Sequence, residues 1–315
     1  MRKVDFSIYL KSLKRFLGSD AFAVCCILLT MVLFGLSFMF SRIALNSASV
    51  FSLLSWRFFA AFFLMTMLRV LGIWKIDLKG LPVSLLCIGL FQPILYVSLE
   101  TLGLSLTSVV ESGIITSTTP VMSMIMAVLF LREYPAKLQV VSIIVSVLGM
   151  IVVVLSQNVS SPTFSLPGYL ALFGAVISAG FFLIFSRSAV NYSSSAKSYV
   201  MLGMGFIAFT TTAAIEHARK GAVMEWLALP FHNMDFLMAI LFLGALTSVV
   251  GLWSMNFGTE RLGVHRTSAF LGISTVVSVL AGVLLLREPF TLAQGVGAAM
   301  ILMGVTGVNQ FVKKS

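Results

Sequence analysis

Charge is what this sequence lacks. Only 10% of its 315 residues are Asp, Glu, Lys or Arg and 59% are hydrophobic, where a soluble domain carries roughly a quarter charged residues. The shortfall runs along the whole chain, so no soluble domain is concealed in it and the solvent its surface meets is lipid. Cysteine is scarce too. Cys25, Cys26 and Cys87 lie in apolar stretches with no histidine at ligand spacing, which reads as inert buried thiols rather than a disulfide or metal site. Nothing in the sequence asks for a cofactor. No Gly-x-x-x-x-Gly-Lys-Ser/Thr segment occurs, which argues against a nucleotide-driven pump within the chain. His217, His232 and His265 sit between apolar runs and no Asp pair lies inside one. The constellations that an intramembrane protease or acyltransferase needs are therefore missing, and no enzymatic activity is expected.

What is present is a succession of apolar runs. Crossing a hydrocarbon core about 30 Å thick at about 1.5 Å per residue takes roughly 20 residues of helix. About ten such runs are found, near 22–45, 51–71, 81–103, 107–131, 137–155, 167–187, 195–215, 236–258, 264–286 and 291–311. The connections between them are mostly short, which forces consecutive helices to lie antiparallel. The first run is too long for a cleaved signal and follows a basic segment, residues 1–20, with Arg2, Lys3, Lys11, Lys14 and Arg15. With the N-terminus in the cytoplasm, the inner flanks hold all but five of the 21 Lys and Arg residues, as the positive-inside rule requires. Only Arg42, Arg57, Arg219, Lys220 and Arg287 fall outside or in the outer half, and the C-terminal tail, 312–315, returns to the cytoplasm. The net charge of +10 is thus spread in ones and twos rather than gathered on a basic module, and nucleic acid is not an expected partner. The one long external connection, Glu216 to Met234, carries Trp226 with Leu227 and Leu229, and reads as interfacial packing ahead of a lid.

The two halves match. Leu131-Arg132-Glu133, with Pro135 and Gln139 after it, answers Leu286-Arg287-Glu288, with Pro289 and Gln294 after it, and Gly149 answers Gly304. Glu100, Leu102, Gly103, Thr107 and Ser108 answer Glu260, Leu262, Gly263, Thr267 and Ser268; Phe40-Ser41-Arg42 answers Phe185-Ser186-Arg187. The repeats span 21–156 and 167–311 about an external linker, 157–166. Five helices in each repeat is an odd number, so equivalent elements face opposite sides of the membrane, as in many secondary transporters. Exchanging one packing mode between the halves then gives inward-open and outward-open states of similar energy.

The duplicated Leu-x-Leu-x-Glu segment, the Thr107-Ser108 opening of the fourth span, Pro120 within it and the stretch Asn256 to Ala269 resemble the drug/metabolite transporter superfamily, specifically its EamA type. The resemblance covers about residues 22–311. It implies an all-α membrane protein of ten transmembrane helices in two inverted five-helix repeats, both termini cytoplasmic, around a central cavity lined mainly by the first, third, fourth, sixth, eighth and ninth helices. It further implies export of amino acids, amines, purines or other metabolites, by a monomer or weak dimer of the bacterial inner (plasma) membrane. Two departures stand out: Ser274-Thr275 replaces the proline expected to match Pro120, and Arg132 and Arg287 stand where many members have glycine.

An ionisable group inside a span costs about 2.5–3.5 kcal/mol on insertion scales, so each invites an explanation. Glu111 sits one turn into the fourth span, either as a proton-titrating or cation-binding carboxylate or as one satisfied by a neighbouring helix end. Arg57, two turns into the second span, has Glu111 or Glu100 as its possible partner, and a structural ion pair is favoured over substrate contact. Gln92, Tyr96 and Glu100 recur every four residues and share a helix face, with Pro93 able to loosen the helix locally; Trp253, Asn256 and Glu260 share a face of the eighth span at spacings of three and four. Repeat matching superposes Tyr96 on Asn256 and Glu100 on Glu260, the pattern of a midplane binding site. Gln92, Tyr96, Trp253 and Asn256, with Phe38 and Phe181 or Phe182, are the candidate substrate contacts; Glu111, Glu100, Arg57 and Glu260 are the candidates for coupling or gating. Glu133 and Glu288 are read as turn-shaping residues. The reading is a secondary transporter of a small metabolite, an exporter that is proton-coupled or facilitative, with a channel or scramblase as the alternative.

Overall fold

The computed structural model describes residues 19–74, 76, 83–132, 135–155, 165–188, 192–262 and 270–310, and every regular element among them is helical. In chain order α1 is Asp20–Leu45 and α2 is Val50–Val70. The next helix, α3, runs through Val83–Gly89, a π-helical stretch Leu90–Leu95, and Tyr96–Leu106; α4 is split into Val109–Thr116 and Thr119–Leu131. Then follow α5 (Lys137–Leu155), α6 (Leu166–Ser188), α7 (Ser194–Lys220) and the short α8 (Val223–His232). α9 passes through Met234–Leu241, a π stretch Phe242–Gly251, and Leu252–Leu262; α10 is Leu271–Leu280 extended by π turns over Ala281–Leu285; α11 is Leu292–Gln310. Eight helices among the described residues are long and apolar enough to cross a membrane, and Leu271–Leu285 and Leu292–Gly307 are shorter apolar helices.

Short polar side chains start the helices where the apolar runs begin. Ser19 accepts a hydrogen bond from Phe22 N (3.2 Å), Ser49 from Ser52 N (3.2 Å) and Asn233 from Phe236 N (2.8 Å), each satisfying one of the free amides of a first turn. α4 breaks just before Pro120, whereas α10 continues through Ser274 and Thr275. Among the described residues the proline and the break occur together in the first repeat.

Packing exchanges the repeats. α1 lies against α9 and α10, while α6 lies against α3 and α4; α2 pairs with α7, and α5 with α11. Every pairing maps onto another when the halves are swapped. The last of them explains the matched glycines. A Cβ on Gly149 would lie 2.7 Å from the Gly297 carbonyl oxygen of α11, and one on Gly304 would lie 2.6 Å from Ser146 Cβ of α5. Each glycine thus seats the opposite backbone, the close approach that holds helices together in lipid.

The two arginines singled out in the sequence stand where the backbone favours glycine. Arg132 (φ 55°) and Arg287 (φ 56°) are the only non-glycine residues with positive φ among those described. Left-handed backbone costs an ordinary residue roughly 1–2 kcal/mol, and glycine escapes this at the expense of about 0.4–1 kcal/mol of unfolded-state entropy. Arg132→Gly, at an exposed site, should therefore raise the melting temperature of the purified protein, with a gain of up to about 1 kcal/mol. An unchanged or lower melting temperature would show that the arginine is unstrained.

The segment Glu216 to Met234 differs from expectation. Glu216–Lys220 continues α7, supported by the Lys220–Glu216 ion pair (2.7 Å) and closed by Gly221 at φ 66°. Trp226 does not face lipid. It is 7% exposed, its Nε1 donates to Ser55 Oγ (3.1 Å) and its ring stacks on His217 at 5.7 Å. α8 is thereby fixed to α2, with Met224, Leu227 and Phe231 as its exposed apolar stripe.

Candidate functional site

The third helix of each repeat is interrupted, and the interruptions are served by the first helix of the other repeat. Pro93 has no N–H and biases the residue before it toward extended angles, and Gln92 accordingly leaves the helical path (φ −147°, ψ 109°). Ser178 of α6 donates to the Phe91 carbonyl (2.8 Å), and Thr30 of α1 donates to the Gly251 carbonyl at the end of the α9 π stretch (3.2 Å). Hydroxyls of this kind satisfy backbone groups that water cannot reach. Irregular backbone inside a bundle is tolerated where it borders other helices or a cavity, and π segments are frequent at functional sites.

Gln92 is therefore not carried on one face with Tyr96 and Glu100; the four-residue stripe holds only for its last two members. Tyr96 Oη donates to Glu100 Oε1 at 2.6 Å. Arg57, 9% exposed on α2, lies within electrostatic reach of both. Its Nε donates to Ser248 Oγ of α9 (3.2 Å). Of the two partners considered for Arg57, Glu100 is the one within electrostatic reach, and Glu111 is engaged by Ser108 and Tyr169. A lone buried guanidinium would be costly, and the Ser248 hydroxyl with the nearby Glu100 carboxylate offsets that cost.

Ser248 also lines a narrow crevice with Met65, Trp74, Ser195, Ser198, Val249 and Trp253. The crevice occupies the half of the bundle toward the end of α2 and the start of α7. One wall is aromatic: Trp253 stacks on Trp74 (6.0 Å) and on Phe257 (5.5 Å). At the crevice wall stand the Ser248 hydroxyl, which accepts from Arg57, and the flat Trp253 indole; Tyr96, Glu100 and Arg57 itself are not among the lining residues. The walls are mainly apolar, and the space between them holds about one water molecule.

Other candidates fall elsewhere. Phe182 packs with Leu85, Ile88, Val200 and Met201 rather than in the crevice; Phe38 is half-buried on α1 and is not among the crevice-lining residues. Asn256 and Glu260 belong to the Leu252–Leu262 segment of α9, but their side chains lie outside what the structure describes, as do Glu133, His265 and Arg266. Glu111 is 1% exposed and fully engaged. With Ser108 it forms a capping box, accepting from Ser108 N (3.0 Å) while its own N–H reaches Ser108 Oγ (3.1 Å), and it accepts from Tyr169 Oη (2.7 Å). Ser248 and Tyr169 were not singled out in the sequence, where a hydroxyl in an apolar run gives little signal. The reach of Glu288 was missed although its motif was seen: its carboxylate crosses to the start of α4.

The EamA-like transporter family model matches this chain twice, over residues 21–155 and 166–310. The chain belongs to that family, and it is a multi-pass membrane protein. It is 31% identical over 282 residues to the uncharacterized transporter YcxC of Bacillus subtilis, covering 89% of this chain and 90% of that protein. It is 27% identical over 283 residues to an uncharacterized transporter of Archaeoglobus fulgidus, covering 88% of this chain and 95% of that protein. A solved crystal structure, 16% identical, superposes with a TM-score of 0.61 over 93% of this chain and 100% of its own. That likeness concerns the fold.

Proposed function

We propose that the chain is a secondary transporter that exports a small organic metabolite by alternating access between two inverted five-helix repeats. The ten helices span the membrane with both termini in the cytoplasm, and the site is Arg57, Ser248, Tyr96, Glu100 and Trp253. The reading is carried by one observation: Ser248, on the interrupted third helix of the second repeat, joins Arg57 to the wall of the crevice, while Glu100, on the interrupted third helix of the first, faces the same cation. In transporters with inverted repeats, substrate sites lie at such interrupted helices near the midplane. Arg57 and Glu100 hold each other until a substrate group competes for one of them, and Trp253 receives its apolar part. Glu100 is the carboxylate placed to exchange a proton as that competition runs. With the termini inside, the crevice lies toward the cytoplasmic face, where an exporter loads.

Purified protein melted in the presence of amino acids, amines, nucleobases and carboxylates should show a rise in melting temperature with at least one class, since a ligand that binds the native state stabilises it. That ligand should show saturable counterflow in liposomes, and Trp253→Ala should lose both responses while remaining folded. Ohmic single-channel conductance without saturable exchange would replace the carrier by a pore.

A further inference from the structure

The end of the bundle away from the crevice is closed by a contact between the repeats. Glu288 follows α10, and its two carboxylate oxygens accept from the first amides of α4, Oε1 from Val109 N (2.9 Å) and Oε2 from Val110 N (2.9 Å). Those amides are free donors at the positive end of a helix, where a carboxylate binds most strongly. Nearby, Arg42 of α1 donates from Nη1 to the carbonyls of Leu104 (3.1 Å) and Thr107 (3.3 Å), tying down the turn that joins α3 to α4. Beneath the carboxylate, α10 and α4 touch through small residues: a Cβ on Gly282 would lie 2.7 Å from Val110 Cγ2 and 2.8 Å from Glu288 Oε2, and Gly113 abuts Ser278. Arg287, at positive φ, is what turns the chain so that Glu288 points back across the interface. The contact is charged and bidentate. It also joins two elements that must separate if this end is ever to open.

We infer that Glu288 is a positioning residue that sets the balance between the two states of the transport cycle, latching the end opposite the crevice shut by capping α4 across the repeat interface. This rests on the alternating-access reading. The latch differs from an ordinary helix cap in its predicted consequence at a distance. An ordinary cap stabilises its own helix and leaves the crevice unchanged. A latch, when broken, admits solvent at its own end and withdraws it from the crevice.

The test uses the full chain with Cys25, Cys26 and Cys87 replaced by alanine and one reporter cysteine, either Ser112→Cys near the latch or Ser198→Cys in the crevice. With Glu288→Gln, labelling by a soluble maleimide should rise at the first reporter and fall at the second, each on the order of tenfold, the scale expected for losing a charge-assisted bond. Gly282→Ala, which displaces the carboxylate without altering its charge, should act in the same direction and decides the matter if Glu288→Gln does not fold. Both variants leaving Ser198→Cys labelling unchanged would overturn the latch, even where the α4 end loosens locally. Reciprocal labelling needs no cargo, so it separates failure of the latch from failure of the transport reading, which saturable counterflow tests.

Discussion

Arg57→Met should cost the protein about 1–3 kcal/mol, the penalty for taking the charged partner from the buried Ser248 hydroxyl and the nearby cation from Glu100. Against a total stability of about 5–15 kcal/mol, that is a large share of the margin and should show as a clear fall in melting temperature. Methionine fills much of the same volume beside Phe58, over whose ring the Arg57 guanidinium lies at 5.8 Å, so the loss comes from charge rather than from a cavity. What is left behind is the Glu100 carboxylate, still bonded to Tyr96 Oη at 2.6 Å but without the cation that faced it. Adding Glu100→Gln removes that uncompensated charge and should recover much of the lost stability, so the double-mutant cycle should return a coupling energy well above the few tenths of a kcal/mol expected for independent sites. Flux should stay absent in the recovered double variant, because the proposed binding groups are gone. Melting of Arg57→Met at the wild-type temperature would mean that the guanidinium is solvated and that the pair is not an energetic unit.

The helices were legible because hydropathy and turn residues act locally. The run read at 137–155 is the helix Lys137–Leu155, whereas the run read as one span at 107–131 is broken just before Pro120. The repeat was legible because equivalent sites impose the same requirement twice: Gly149 and Gly304 answer each other in sequence since each seats the other helix's backbone. The partners of the polar residues were less legible. Arg57 was known to need a carboxylate, but choosing Glu100 over Glu111 depends on how α2, α3 and α9 meet, which no spacing within one helix records. Gln92 misled for a local reason. Regular spacing placed it with Tyr96, and the proline that follows it broke the regularity. The connection after α7 was read as interfacial packing, and it differs because His217, Arg219 and Lys220 suit the C-terminal turn of a helix and Trp226 is drawn in by Ser55.

Glu111→Ala is the other substitution expected to be severe, at about 2–4 kcal/mol, combining a lost helix cap with a buried donor deprived of its acceptor. The carboxylate serves Ser108 N and Tyr169 Oη at once, at a position 1% exposed, and alanine serves neither. Glu111→Gln is a different matter. Its amide oxygen can keep the Ser108 N–H while its NH2 donates to the Tyr169 oxygen, reversing that bond at a cost of about 1 kcal/mol or less. Glu111→Gln is therefore a clean variant for separating structure from proton coupling, since it stays folded and cannot titrate. With Glu100 as the proposed proton carrier, Glu111→Gln should retain pH-driven counterflow per folded molecule, and Glu100→Gln should lose it while still exchanging substrate down its gradient. The reverse result, coupling lost with Glu111→Gln and kept with Glu100→Gln, would move the proton to the start of α4. It would then make Tyr169 and Ser108, rather than Tyr96 and Arg57, the groups that hold the carboxylate between its two states.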